Sequence, residues 1–124
     1  MYYLKNRYFA RWARKNGIPD EVLIEVITEF ENGLFEANLG NHLYKKRVAL
    51  AGKGKSGGAR TILFYQQSRK LIFCFGFEKN NQGNLIDSEV KLLKQLSDMY
   101  QDTTEEELIS DIKYGDLIKI LKEG

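Results

Sequence analysis

Residues 60–77, RTILFYQ-QSR-KLIFCFGF, restrict the fold more than any other stretch of this chain. Both apolar runs are rich in β-branched and aromatic residues, and both are apolar at successive positions rather than at every second one. Gln67, Ser68 and Arg69 between them suit the turn of a hairpin. Two such strands belong at the centre of a sheet, and the sequence predicts helices covering them from one side.

The flanking segments supply those helices. Residues 4–16 read as a helix on the spacing of Tyr8, Trp12 and the aliphatic part of Lys15, with Gly17 as its stop. Pro19 opens a second helix, in which Asp20 and Glu21 favour the N-terminal dipole and Val22, Val26, Ile27 and Phe30 make the apolar stripe. The sequence ENG ends it. A short strand and turn follow, and residues 44–50 (YKKRVAL) alternate as a strand, with Tyr44, Val48 and Leu50 on one face and Lys45, Arg47 and Ala49 on the other. Val90, Leu93, Leu96 and Tyr100 mark a strong amphipathic helix. Thr104 and Glu107 form a capping-box pattern for another, which Gly115 stops, and the DLIKIL that follows reads as a strand or extended tail. The expected order is ααββββα plus a tail. This is an α+β fold with an antiparallel sheet of about four strands, two N-terminal helices and a C-terminal helix packed on it, in one domain over residues 1–124 with 103–124 as a short extension.

The single cysteine, Cys74, makes no internal disulfide, which fits a reducing, cytoplasmic setting. The N-terminal residues are charged throughout, unlike a secretory signal, and no apolar run is long enough to span a membrane. The formal net charge is only +2, yet between Ala37 and Phe77 there is no Asp or Glu. That window holds Lys45, Lys46, Arg47, Lys53, Lys55, Arg60, Arg69 and Lys70, a cationic centre suited to a polyanion.

Within it, ALAGKGKS (residues 49–56) satisfies a permissive phosphate-loop pattern. A nucleotide-binding loop must open a helix with its Lys-Ser pair. Here GGARTILFY follows, and two glycines before β-formers do not start a helix. The segment reads instead as a cationic loop between antiparallel strands, where glycines let a phosphate backbone approach closely. His42, the sole histidine, falls in the turn GNHLY. No Cys/His cluster suggests a metal, and no cofactor is expected. Trp12, Phe73, Phe75 and Phe77 read as core.

YKKRVALAGKGKSGGARTILFY, then LIFCFGFEKNN, then SEVKLLKQL together resemble the RelE/HigB group of toxins from bacterial type II toxin–antitoxin systems, within the RelE/ParE superfamily. The likeness is nearest to HigB-like members with a K-x-R-V-A…G-K-G-K-x-G-G-x-R loop. The resemblance implies a ribosome-dependent, metal-independent mRNA endoribonuclease, in which the ribose 2′-OH attacks the adjacent phosphate to leave a cyclic phosphate. It implies a cognate antitoxin, often a helix-turn-helix DNA-binding protein, as partner, together with the ribosome and mRNA. The family's basic pair falls on Lys45 and Arg47, its loop lysines on Lys53 and Lys55, the arginine facing the scissile phosphate on Arg60, and a later basic residue on Lys79. Lys46, Tyr65 and Arg69 join Lys53 and Lys55 as RNA-binding candidates. Lys45 is the candidate base, crowded by the like charges of Lys46, Arg47 and Arg60. The family's C-terminal Tyr or His is missing from NNQGNLIDS. A ParE-like inhibitor of DNA gyrase, or an inactive RNA-binding module, is the alternative. The nuclease reading requires Lys45, Arg47 and Arg60 to share one surface, and requires that no carboxylate of the same chain plug it.

Overall fold

The computed structural model describes residues 1–50 and 54–121, and for residues 54–57 the backbone alone. In chain order the elements are β1 (Tyr2–Asn6), α1 (Arg7–Lys15), α2 (Asp20–Glu31), β2 (Ala37–Gly40), β3 (Leu43–Leu50), β4 (Gly54–Gln66), β5 (Lys70–Glu78), α3 (Lys79–Gln82), α4 (Asp87–Asp102), α5 (Glu105–Lys113) and β6 (Leu117–Lys119). The fold is α+β. Its sheet has six strands in the order β2-β3-β4-β5-β1-β6.

β4 and β5 form the expected central hairpin, paired from Ala59↔Glu78 to Gln66↔Lys70. Helices cover it on both faces, not on one. On the first face α1 and α2 pack Phe9, Leu23, Val26 and Phe30 against Val48, Leu63, Leu71 and Phe73. On the second, α4 and α5 pack Leu93, Tyr100 and Leu108 against Ile62, Phe64, Ile72 and Phe77. The two-sided apolarity of the hairpin follows directly: each strand alternates between two cores, so every position is filled. Trp12 lies over Gly76 so closely that a Cβ there would sit 2.4 Å from its ring, which explains a glycine in a central strand.

The N-terminus departs from the expected helix. Residues 2–6 are a strand, parallel to β5 through Tyr2↔Lys70 to Lys5↔Phe73, and α1 starts only after Asn6. The aromatic pair Tyr2–Tyr3 and the fully buried Leu4 fit the open edge of β5, and that tertiary site overrides the helical pattern continuing upstream. Asn6 ends the strand and caps the helix: its Oδ1 accepts the Phe9 N–H at 2.8 Å, and its Nδ2 donates to the Cys74 carbonyl at 3.1 Å. The C-terminal segment is a strand, as expected; β6 pairs antiparallel with β1. These two strands, invisible as a pair in sequence, make up the difference between four and six. The capping box forms as read, with Thr104 Oγ1 accepting from Glu107 N and Glu107 Oε1 from Thr104 N, both at 3.1 Å. None of the described helices is long and apolar enough to cross a membrane.

Candidate active site

β3 and β4 place the basic residues by alternation. Arg47 stands directly opposite Arg60 in the antiparallel ladder, and Lys45 opposite Ile62, so Lys45, Arg47 and Arg60 share the face that carries α4. Two guanidinium groups facing each other across a ladder repel. Glu36, in the approach to β2, answers them: its Oε2 lies 2.7 Å from Arg60 Nε and 3.5 Å from Arg47 Nε, and its Oε1 lies 3.9 Å from Lys45 Nζ. Asn84 Oδ1 takes a further contact from Lys45 Nζ at 3.4 Å.

Burial differs sharply within the trio. The Arg60 side chain is 2% exposed, Lys45 16% and Arg47 49%. Arg60 Nη1 donates to the Ala59 carbonyl at 3.3 Å, while its Nη2 is buried with no hydrogen-bond partner among the described residues. A desolvated guanidinium with an unmet donor favours an incoming anion, because the unmade bond is already a penalty. Among the described contacts, Glu36 serves all three cations.

Of the two conditions set by sequence, the first is met and the second is not. The three cations share a surface, but Glu36 sits among them, so an open cationic cup does not describe the site. The acid-free window explains the miss: Glu36 immediately precedes it and Glu78 immediately follows it, and Glu78 pairs across from Ala59, one residue from Arg60. A window without acids in sequence has one at each border in space. Asn84 has no signal of its own in the sequence, lying in the stretch NNQGNLIDS that holds no Tyr or His.

The other candidates are spread out. Lys46 points to the opposite face, where its Nζ donates to Glu29 Oε1 of α2 at 2.7 Å, so it does not crowd Lys45. Tyr65 also points to that face and packs edge-on against Phe30, with 5.0 Å between centroids. Arg69 is exposed in the β4–β5 turn, beyond Gln66 at the end of β4, which lies six residues from Arg60, roughly 20 Å at 3.3 Å per residue. Lys79 opens α3 and is exposed, just beyond the end of β5 that carries Arg60's partner Phe77. Lys53 lies outside the described residues, as does the side chain of Lys55.

The hairpin geometry bears on the nucleotide pattern. Leu50 pairs with Gly54, and Gly54–Gln66 is a strand, so Ser56 starts no helix that could face a nucleotide phosphate. His42 sits in its turn with φ +64°, its Nε2 3.0 Å from Gln101 Nε2. Burial pushes the Cys74 thiol up to about 12, which leaves no thiolate for nucleophilic work.

No curated protein matches the chain. The family model described as "RelE toxin of RelE / RelB toxin-antitoxin system" matches residues 1–120, nearly the whole length. A match of that extent, on an α+β fold, makes the assignment: the chain belongs to the RelE toxin family and is the toxin half of a toxin–antitoxin pair, with a RelB-type antitoxin as its implied partner.

Proposed function

We propose that this toxin is a ribosome-dependent, metal-independent endoribonuclease that cuts messenger RNA in translated codons, of the HigB-like type II kind, and is held inactive by its antitoxin. One observation carries the reading: the buried Arg60 guanidinium keeps an unpartnered Nη2 beside the half-exposed Arg47 and the Lys45 ammonium. The scissile phosphate binds there, accepting from Arg60 Nη2 and from Arg47. As the 2′-oxygen attacks phosphorus and the P–O5′ bond breaks, charge builds on the phosphoryl oxygens, where fixed donors stabilise it most.

Glu36 fills the cup that the sequence reading needed open, so the nuclease reading stands only with that carboxylate as a working member of the site, and this changes the assignment of the base. A Glu36 carboxylate oxygen is free to accept the 2′-OH proton once the phosphate draws Arg60 and Arg47 away from it. Glu36 therefore takes the 2′-OH proton, and Lys45, within 3.9 Å of it, protonates the departing 5′-oxygen. The products are a 2′,3′-cyclic phosphate and a 5′-hydroxyl. Glu36 also keeps the cations in register before RNA arrives, and yields Arg60 in part to the phosphate on binding.

The deciding experiment induces the toxin alone and maps messenger 5′ ends. Cuts inside translated codons are expected, and they should vanish with Arg60→Ala while the variant still folds. Growth arrest retained by Arg60→Ala, or inhibition of gyrase supercoiling without messenger cuts, would overturn the reading.

A further inference from the structure

Of the aromatic residues expected in the core, Phe73 and Phe77 are buried and Trp12 and Phe75 are partly buried against it. Phe35 is not among those expected there, but its size would suit such a place. It is 40% exposed and its neighbour Leu34 59%, although both are large and apolar. The Phe35 ring is held in place from behind, 5.0 Å from Tyr44 and 5.6 Å from Phe30 by centroid. It lines a groove of about 360 Å³ with Leu34, Glu36, Lys46 and Arg47. That groove runs round the outer edge of β3, because the β2 ladder on β3 stops at Ala37↔Lys45. Glu36, next in the chain, already reaches Arg60.

We infer that Phe35, supported by Leu34, is a nucleobase-stacking subsite: the base adjoining the phosphate held by Arg60 leaves its stack and lies on this ring. The inference rests on the nuclease reading and adds to it a positioning surface for single-stranded RNA. A cationic track beside an aromatic platform is the combination that single-strand binders use, since every base offers a π face while the phosphates supply charge. Arg47, half-exposed and lining both the groove and the phosphate site, connects the two. Stacking also fixes the ribose and so aims the 2′-OH, which gives the ring an effect on turnover as well as on binding.

The test uses short RNA oligonucleotides with a 2′-deoxy residue at the cut position, which bind without being cleaved, and matched oligonucleotides lacking one base. Phe35→Ala should weaken binding of the complete oligonucleotide about tenfold and leave the abasic one unchanged, whereas Phe35→Trp should bind both as the unaltered protein does. On programmed ribosomes Phe35→Ala should raise KM and flatten preference among cut sites. Thermal melts of each variant establish folding. Arg60→Ala, measured alongside, should weaken both oligonucleotides equally. Equal losses on complete and abasic RNA with Phe35→Ala, or no loss on either, would overturn the stacking site while leaving the nuclease reading intact. An effect confined to antitoxin binding would assign the groove to a protein partner and overturn it as well. Failure of the unaltered toxin to bind either oligonucleotide would overturn the stacking site on free RNA, while the mapped messenger cuts decide the nuclease reading separately.

Discussion

Two ion pairs flank β3, one on each face, and they have nearly the same dimensions. Lys46 and Glu29 meet at 2.7 Å with the lysine side chain 6% exposed; Arg60 and Glu36 meet at 2.7 Å with the arginine 2% exposed. Their surroundings separate them. Lys46 lies against α2, among side chains of a filled core, and its ammonium meets the carboxylate of the helix it packs on. Arg60 shares its carboxylate with Arg47 and Lys45 and keeps one buried nitrogen unpartnered. Distance and burial alone would class both as structural. Donor accounting distinguishes them: one pair clamps a helix to the sheet, and the other holds cations ready for an anion.

The largest effect should come from Arg60→Leu, which fills the space without the charge. Messenger cleavage should fall by about 10²–10³-fold, the usual loss when a preorganised donor to a developing oxyanion is removed. Stability should hold or rise by up to about 1 kcal/mol in denaturant melts, since an unmet buried donor and an Arg–Arg repulsion both disappear. Lys46→Met should do the reverse in stability, lowering it by about 1–3 kcal/mol because the 2.7 Å contact that ties β3 to Glu29 of α2 is lost. A stability loss for Arg60→Leu as large as that for Lys46→Met would break the comparison.

Glu36→Gln should separate binding from turnover. Cleavage should fall at least about tenfold if the carboxylate takes the 2′-OH proton, while affinity for a non-cleavable single strand should rise, the competing anion having gone. Added sulfate should stabilise this variant more than the unaltered protein in thermal melts. A smaller effect concerns salt. With about four phosphate contacts, the log–log slope of single-strand binding against salt should be roughly −3, and Arg47→Gln should reduce it by somewhat less than one. A flat response would move RNA binding off this face.

The sequence made the central hairpin legible because β4 and β5 carry local signals: β-branched and aromatic residues, a turn, and no polar breaks. Alternation in YKKRVAL likewise placed Lys45 and Arg47 on one side of β3. What could not be read was decided by partners distant in sequence. Leu4 looks helical beside Tyr8 and Trp12 until β5 offers an edge, and Asn6 looks like a helix interior until its side chain is seen capping the Phe9 amide. Glu36 is the clearest case. Composition counted it outside the basic window, yet the bend before β2 returns it to the middle of that window. Helices on both faces went unread for a similar reason: two-sided apolarity says that both faces are filled, but which helix goes where is set by the topology of the whole sheet.

Threading β6 onto β1 and β1 onto β5 has a temporal meaning. Leu4 pairs with Ile72 on one side and with Lys119 on the other, so β1 must wait for chain made some 70 and then 115 residues later. The β3–β4–β5 meander that carries the cations closes over short separations and can assemble early. A growing toxin would therefore own its cation-bearing strands before it owns a finished scaffold. An antitoxin has that interval in which to reach the nascent chain.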